Sequence, residues 1–115
     1  MKVEKGQIVY LKTENKNGKG HIQMGRRPFL VVSNDIGNRF SEFAMVVLLT
    51  TKLKKLSQPT HVVIDCNNSM VICEQIFTIR QSDIVKIECK ISEFQMKFVD
   101  ECLKNALGVV WWEKS

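Results

Sequence analysis

The chain has 115 residues, of which 44% are hydrophobic and 25% are charged, a composition typical of a soluble globular protein with one domain over residues 1–115. No apolar run approaches the roughly 20 residues of a membrane-spanning helix, and the first residues lack the apolar core of a secretory signal, so we expect a cytoplasmic protein. The net charge of +5 is uneven, since residues 1–60 carry 11 Lys and Arg against four Asp and Glu. This excess fits either a polyanionic partner such as nucleic acid or a solvated lysine-rich surface.

The first part of the chain predicts a strand and then a long loop. Residues 6–12 have the pattern of a strand, whereas residues 13–26 are rich in Gly, Asn and Lys and show no sustained period. Two interpretations of this loop stay open, a clamp on a phosphate backbone and a disordered hairpin tip. The residues that would form the clamp are Lys16, Lys19, His21 and Arg26.

A buried strand with two arginines at its start is predicted next. Residues 29–32 are all apolar, which indicates a strand over residues 28–33 that is covered on both faces. Pro28 biases Arg27 toward an extended backbone, so its guanidinium becomes a fixed cation that is suited to meet an anion. Residues 34–43 form a turn-rich connection, and residues 44–51 predict another strand. Strand alternation makes Thr50 the first polar group on the face that begins with Ala44, Val46 and Leu48.

The remaining elements are short strands and one helix. Strands are predicted at residues 60–65, 70–73, 75–79 and 84–91, with turns at residues 67–69 and 81–83. Ser92 and Gln95 fit a capping box, and an amphipathic helix is predicted from there to Gly108, with an apolar stripe that recurs every four residues at Phe94, Phe98, Cys102 and Ala106. The apolar tail at residues 109–112 fits core packing or an interface. Many short strands with one terminal helix indicate a compact, β-rich barrel or α+β domain.

The cysteines and histidines indicate no metal site. Cys66, Cys73, Cys89 and Cys102 contain no C-x-x-C pair, and only His21 and His61 accompany them. We expect the first two and Cys102 to be buried free thiols in a reducing compartment, and leave Cys89 open. No catalytic triad, nucleotide fingerprint or other cofactor motif is present. The residues by themselves therefore indicate only a basic, β-rich domain with two arginines at the start of one buried strand.

Several runs together resemble the MazF/PemK (Kid) toxin family, the endoribonucleases of type II toxin–antitoxin pairs. The runs are KGQIVY at residues 5–10, GRRP at 25–28, NDIGNRFS at 34–41, Thr50, PTH at 59–61 and EQI at 74–76. Their order and spacing match the family over residues 4–107. The combination of Gly-x-Arg-Pro with the Asn-Asp-Ile-Gly-Asn-Arg-Phe run makes a chance match improbable.

The resemblance implies a mainly β fold, an SH3-like barrel of about six to seven strands with a C-terminal α-helix, assembled as a homodimer. It implies metal-independent cleavage of single-stranded RNA, leaving a 2′,3′-cyclic phosphate and a 5′-hydroxyl, with no cofactor. The implied partners are messenger RNA, a cognate antitoxin and, through the antitoxin only, operator DNA.

The resemblance also assigns residues. The family's catalytic arginine and threonine fall on Arg27 and Thr50. RNA-binding positions fall on Asn34, Glu74, Gln75 and the loop residues Lys16, Lys19, His21 and Arg26. Relatives often continue Glu-Gln-Ile with Arg-Thr, whereas Phe77 precedes Thr78 in this chain. Two alternatives of other classes share the fold: a non-catalytic toxin that binds a protein such as DNA gyrase, and a nucleic-acid-binding regulator that has lost activity.

Overall fold

The computed structural model describes residues 2–14, 22–50, 61–64, 66 and 69–109, without the side chains of residues 13, 14, 22–26, 61 and 62. Six strands in these ranges form one antiparallel sheet with the spatial order β4-β5-β3-β2-β1-β6. The strands are β1 Gln7–Glu14, β2 Ile22–Val31, β3 Phe43–Thr50, β4 His61–Ile64, β5 Ser69–Arg80 and β6 Ile84–Lys90. Helix α1 is Asp35–Phe40, a 3-10 turn is Gln81–Asp83, and helix α2 is Glu93–Leu107. The expected mainly β architecture with a C-terminal helix is confirmed. No helix in the described part is long and apolar enough to cross a membrane.

Both faces of the sheet are buried near its centre. On one face, α2 packs Met96, Val99 and Cys102 against a core that includes Leu30 and Leu49. The opposite face holds a second cluster lined by residues of four strands and the N-terminus, namely Val3, Val9, Val31, Ala44, Val46 and Ile84. Full burial of an aliphatic side chain stabilises the fold by about 1.5–3 kcal/mol, so these two layers hold the sheet rigid. The prediction that the strand at residues 28–33 is covered on both faces is confirmed, because neither Leu30 nor Val31 is exposed.

The prediction of a loop over residues 13–26 is wrong at both of its ends. Residues 13–26 were expected to form a loop, but β1 continues to Glu14 and β2 begins at Ile22, with Lys12 paired to Met24 and Thr13 to Gln23. These residues are mostly polar, so no hydrophobic alternation marks them, and backbone pairing between the two strands extends the hairpin. Residues 15–21 lie outside the described ranges.

The connection at residues 34–43 contains a helix that the sequence analysis did not predict. Asn34 caps α1, since its Oδ1 accepts a hydrogen bond from the backbone N of Gly37 at 2.7 Å. Asn38 is fully buried, and its Nδ2 donates to the backbone oxygen of Ser33 at 3.0 Å. The polar residues of this segment thus stabilise a short helix, because their side chains form hydrogen bonds with backbone groups at its N-terminal end.

The buried side chain of Gln81 forms hydrogen bonds with three parts of the chain. It is 3% exposed. Its Nε2 donates to the backbone oxygens of Asn38, Ser41 and Phe43 at 2.8, 2.9 and 3.2 Å. Its Oε1 accepts from the backbone N of Val3 at 2.9 Å. The residue therefore satisfies backbone groups of the N-terminus, of the end of α1 and of the start of β3.

Helix α2 has the predicted ends but a different buried stripe. Ser92 Oγ accepts from the backbone N of Gln95 at 3.1 Å, and Gly108 adopts the left-handed conformation that closes the helix. The apolar stripe was expected to include Phe94 and Phe98, yet both are exposed and contact each other edge to face. The buried stripe instead follows Met96, Val99 and Cys102.

One cysteine prediction is wrong. Cys66 was expected to be a free thiol, but it forms a disulfide with Cys89, with their Cα atoms 6.5 Å apart. Cys66 follows β4 and Cys89 lies on β6, so the bond joins the two edge strands of the sheet. Cys73 and Cys102 are buried free thiols as expected. The two sheet edges thus meet, and the sheet curls into a barrel.

Candidate active site

The register of β2 and β3 leads toward Arg27 and Thr50. Phe29 pairs with Leu48 and Leu30 pairs with Val47. The pairing ends at Phe29 and Leu48, and two more steps of the same register would set Arg27 opposite Thr50, where facing residues have Cβ atoms about 4.5–5.5 Å apart. Strand β2 is irregular at this point, because its pairing with β1 shifts between Pro28 and Met24.

Arg27 and Thr50 also share a face of the sheet. Side chains two residues apart on a strand point the same way, so Arg27 lies on the face of Phe29, and Thr50 lies on the face of Leu48. Beneath this face a small apolar cluster contains Leu48, Met70 and Ile72, with Phe29 packed against it. Arg27 is exposed and Thr50 is half-buried. Arg27 and Thr50 therefore each lie two residues along their strand from a member of this packed surface, Phe29 and Leu48 respectively.

Glu74 and Gln75 lie in an irregular part of β5. Val47 on β3 pairs with Ile76, but the next residue, Leu48, pairs with Ile72. Residues 73–75 of β5 are thus inserted between the partners of two adjacent β3 residues. Glu74 and Gln75 are exposed there, beside the segment of β3 that ends at Thr50. Such bulges re-aim side chains and are common next to active sites.

Phe77 lies on the same face as Arg27 and Thr50. It pairs with Val46, whose side chain shares the face of Leu48. Its ring contacts that of Phe29 edge to face, with the centroids 5.9 Å apart and the planes at 85°. The sequence analysis did not identify Phe29 as a site residue. The signal was its position two residues after Arg27 on a strand, which puts both side chains on one face.

Asn34 does not join this group. Asn34 follows the end of β2 at Val31, whereas Arg27 lies seven residues earlier, inside that strand. The four residues from Arg27 to Val31 alone span about 13 Å of strand. The structure therefore places Asn34 at the other end of β2, where it caps α1.

The basic loop residues are only partly described. Lys16, Lys19 and His21 lie outside the described residues. Arg26 belongs to β2 and adjoins Arg27, but its side chain is outside what the structure describes.

The described cysteines supply no nucleophile for this site. Burial, together with the nearby Cys102, raises the pKa of the Cys73 thiol to about 12. Burial also raises the pKa of Cys102. Both thiols therefore stay protonated and inert near neutral pH. Among the described residues, no group of three or more His, Cys, Asp or Glu is placed to hold a metal ion.

This fold agrees with that of a known protein family. Residues 4–107 match the family model described as PemK-like, MazF-like toxin of type II toxin–antitoxin system. The chain therefore belongs to this family. It is 38% identical over 97 residues to Endoribonuclease EndoA of Bacillus subtilis (strain 168), a match that covers 79% of this chain and 84% of that protein.

Solved structures of the family share the fold. An endoribonuclease from mycobacterial species has a TM-score of 0.79 at 23% identity, with 96% of each chain covered. Another, an endoribonuclease in complex with its cognate antitoxin from mycobacterial species, has a TM-score of 0.77 at 25% identity and covers 95% of this chain and 98% of that one. The MazE–MazF complex of Deinococcus radiodurans has a TM-score of 0.77 at 20% identity, with 96% and 99% covered.

Proposed function

We propose that this chain is a type II toxin and an endoribonuclease that cleaves single-stranded RNA, with Arg27 and Thr50 as its catalytic residues. The observation that carries the proposal is the register of β2 and β3, whose pair of Phe29 and Leu48 lies two residues from Arg27 and from Thr50. The endoribonuclease name of a relative at 38% identity supports the same activity. Residues 1–115 act as a single toxin domain.

The reaction needs little beyond positioning and charge stabilisation. RNA supplies its own nucleophile, the 2′-hydroxyl beside the scissile phosphate. Its attack forms a phosphorane with extra negative charge, and departure of the 5′-oxygen leaves a 2′,3′-cyclic phosphate and a 5′-hydroxyl. Arg27 holds two phosphate oxygens with its planar fork, and the Thr50 hydroxyl donates a further hydrogen bond. No metal ion is required for this step.

The surrounding groups bind the strand on either side of the cut. Glu74 and Gln75, exposed at the bulge of β5, offer hydrogen-bonding groups to bases. Arg26 and the loop residues Lys16, Lys19 and His21 attract the phosphate backbone. Asn34 stays a candidate RNA contact from the sequence, although its capping of α1 gives it a structural task as well.

The proposed assembly and location follow from the family. Relatives have been solved with a cognate antitoxin and as a MazE–MazF complex, and we propose that this chain likewise forms a homodimer that an antitoxin inhibits. A disordered acidic segment that folds on binding suits a basic groove. The antitoxin would carry the complex to operator DNA, and the protein would act in the cytoplasm, where messenger RNA is found.

The test is cleavage of a long single-stranded RNA by purified protein in EDTA. We expect cleavage by the wild type and a loss of at least about 100-fold in kcat for Arg27→Ala, by analogy with the removal of one oxyanion donor. Arg27→Lys keeps the charge but loses the fork, so it should remain strongly impaired. Thr50→Val, which removes only the hydroxyl, should also lose activity.

Arg39→Ala is the matched control, because it removes the same charge from an exposed position on α1. It should cleave at the wild-type rate. Unchanged cleavage by Arg27→Ala would overturn the assignment of the catalytic arginine. Absence of cleavage of any RNA by the wild type, with inhibition of gyrase instead, would replace the proposal by the protein-binding alternative.

A further inference from the structure

We propose that Phe77, supported by Phe29, is a stacking platform for one base of the RNA strand, beside the base whose phosphate is cut. This inference rests on the proposed endoribonuclease function and adds a binding residue to that site. It gives a role to the position at which this chain departs from the Arg-Thr continuation common among relatives.

Geometry brings the aromatic pair into the site. Phe29 lies two residues from Arg27 on β2 and pairs with Leu48, which lies two residues from Thr50 on β3. Phe77 contacts the Phe29 ring from the neighbouring strand β5 at 5.9 Å. The catalytic pair and the aromatic pair therefore form one continuous surface.

Exposure shows that the platform is open. The Phe77 side chain is 45% exposed although it belongs to a sheet with buried cores on both faces. Phe29 is only half-buried and packs against the cluster of Leu48, Met70 and Ile72. Phe77 is thus an accessible aromatic ring held in place by a fixed one. The edge-to-face arrangement leaves ring surface free for a third aromatic group.

The chemistry of the surroundings favours a nucleobase as that third group. Every base has a π-face, and a base of a single strand can leave its neighbours to stack on an aromatic side chain. The exposed Arg27 provides a cation for the phosphate of a neighbouring nucleotide, and the exposed Gln75 and Glu74 offer hydrogen bonds to base edges. An apolar protein partner would use none of these polar groups.

Spacing assigns the stacked base to a flanking nucleotide. Val46, the partner of Phe77, stands four residues before Thr50 on β3, which corresponds to about 13 Å along the strand. The base on Phe77 is therefore assigned to a nucleotide next to the one whose phosphate lies at Arg27 and Thr50. Phe77 stacks on a base next to the cleavage site and contributes to RNA binding. It does not contact the phosphate at which bonds are made and broken.

The experiment uses a single-stranded RNA that spans a site mapped with the wild-type enzyme, with a 2′-O-methyl group at the cut nucleotide so that binding is measured without cleavage. We expect Phe77→Ala to weaken the Kd about tenfold, within the range that alanine substitution gives for a stacked base. Phe77→Trp should bind as tightly as the wild type. Phe77→Leu, which keeps an apolar side chain without a π-face, should lose as much as alanine.

An abasic scan locates the partner base. One flanking position should weaken the Kd about tenfold when its base is removed, and this loss should vanish in Phe77→Ala, since the two changes delete the same contact. Phe77→Arg exchanges stacking for charge, so log Kd should vary more steeply with log salt, by about 0.7 for one added phosphate contact. On cleavable RNA, Phe77→Ala should raise KM and leave kcat unchanged.

The control is Phe94→Ala, which breaks the other exposed edge-to-face pair, on α2 at the opposite face of the sheet. It should bind RNA like the wild type. Equal binding by Phe77→Ala and the wild type, or by Phe77→Leu and the wild type, would overturn the platform. A change in self-association of Phe77→Ala in sedimentation, with unchanged RNA affinity per active protein, would assign the face to contact between copies instead. If the wild type cleaves RNA but removal of no single base changes the Kd, only the stacking role of Phe77 is rejected. If the wild type cleaves no RNA, the proposed endoribonuclease function is itself rejected.

Discussion

Replacing Gln81 by glutamate changes one NH2 group to an oxygen inside the molecule. The Nε2 of Gln81 donates to three backbone oxygens, those of Asn38, Ser41 and Phe43, at 2.8–3.2 Å. After the change, a carboxylate oxygen faces these carbonyls and no longer donates to them, although the oxygen of Ser41 still accepts from the Nζ of Lys2 at 2.7 Å. The side chain is 3% exposed, so water does not take over these hydrogen bonds.

The expected loss follows from these contacts. A buried polar group left without a partner costs about 1–3 kcal/mol, so the carbonyls of Asn38 and Phe43 at the low end give about 2 kcal/mol. Burial of the negative charge adds to this, and we expect a total of about 3–5 kcal/mol near pH 8. For a small domain with about 5–15 kcal/mol of stability, this is a large fraction.

The pH dependence has a definite sign. Burial and the facing carbonyls raise the pKa of the introduced carboxyl above its unfolded value of about 4.3. The folded variant therefore binds the proton more tightly than the unfolded chain, and its stability falls as the pH rises through the raised pKa. The deficit relative to the wild type should grow between about pH 5 and pH 8.

The assay is urea unfolding of the wild type and Gln81→Glu at both pH values. Gln75→Glu is the matched control, because it makes the same chemical change at an exposed position; it should alter stability by less than about 0.5 kcal/mol. A Gln81→Glu variant that stays within that margin at pH 8, or whose deficit does not change with pH, would refute the argument that these hydrogen bonds are buried and satisfied by the amide.

Three further outcomes are expected. Cys66→Ser should lower stability by about 3 kcal/mol under oxidising conditions, as expected for a bond across 23 residues, and dithiothreitol should remove the difference. In reduced native protein at pH 8, iodoacetamide should modify Cys66 and Cys89 and spare Cys73. Burial raises the pKa of the Cys73 thiol from 9.0 to about 12, so its thiolate fraction falls about 1000-fold. Mass spectrometry counts the alkyl groups, and labelling of Cys73 at the rate of the other two cysteines would contradict its burial. Asn34→Ala should cost about 1 kcal/mol through loss of the α1 cap while Asn34→Ser does not, and an RNA-cleavage defect in both would mark a direct RNA contact.

Local signals were sufficient for some elements of the fold. The ends of α2 were predicted because Ser92 and Gly108 act within one helical turn of the backbone groups that they satisfy. The face that holds Ala44, Val46, Leu48 and Thr50 was predicted because alternation along a strand needs no knowledge of other strands. Such features depend on neighbours in sequence.

Non-local pairing explains what was missed. The polar residues of β1 and β2 become strand because each supplies backbone partners to the other, and Lys12 and Met24 carry no sign of this. The Cys66–Cys89 bond likewise depends on the meeting of opposite sheet edges. Helix α1 has only six residues, and its signal was a capping Asn34 among other polar residues.

The candidate site likewise combines residues that the sequence predicts with contacts that depend on non-local pairing. Arg27, Thr50, Glu74 and Gln75 were predicted from a family resemblance and from strand alternation. That the pair of Phe29 and Leu48 lies beside Arg27 and Thr50, and that the Phe29 ring contacts that of Phe77, depends on the register between strands. No property of the residues themselves specifies that register, so these contacts were not predictable from the sequence.

The disulfide has a topological consequence. Together with the backbone from Cys66 to Cys89, it closes a covalent ring that contains β5 and the first part of β6. A single peptide-bond break inside this ring would leave the two fragments covalently attached, whereas a break outside it would release them on unfolding. Oxidised protein nicked inside the ring would thus migrate as one chain until a reductant opens the bond.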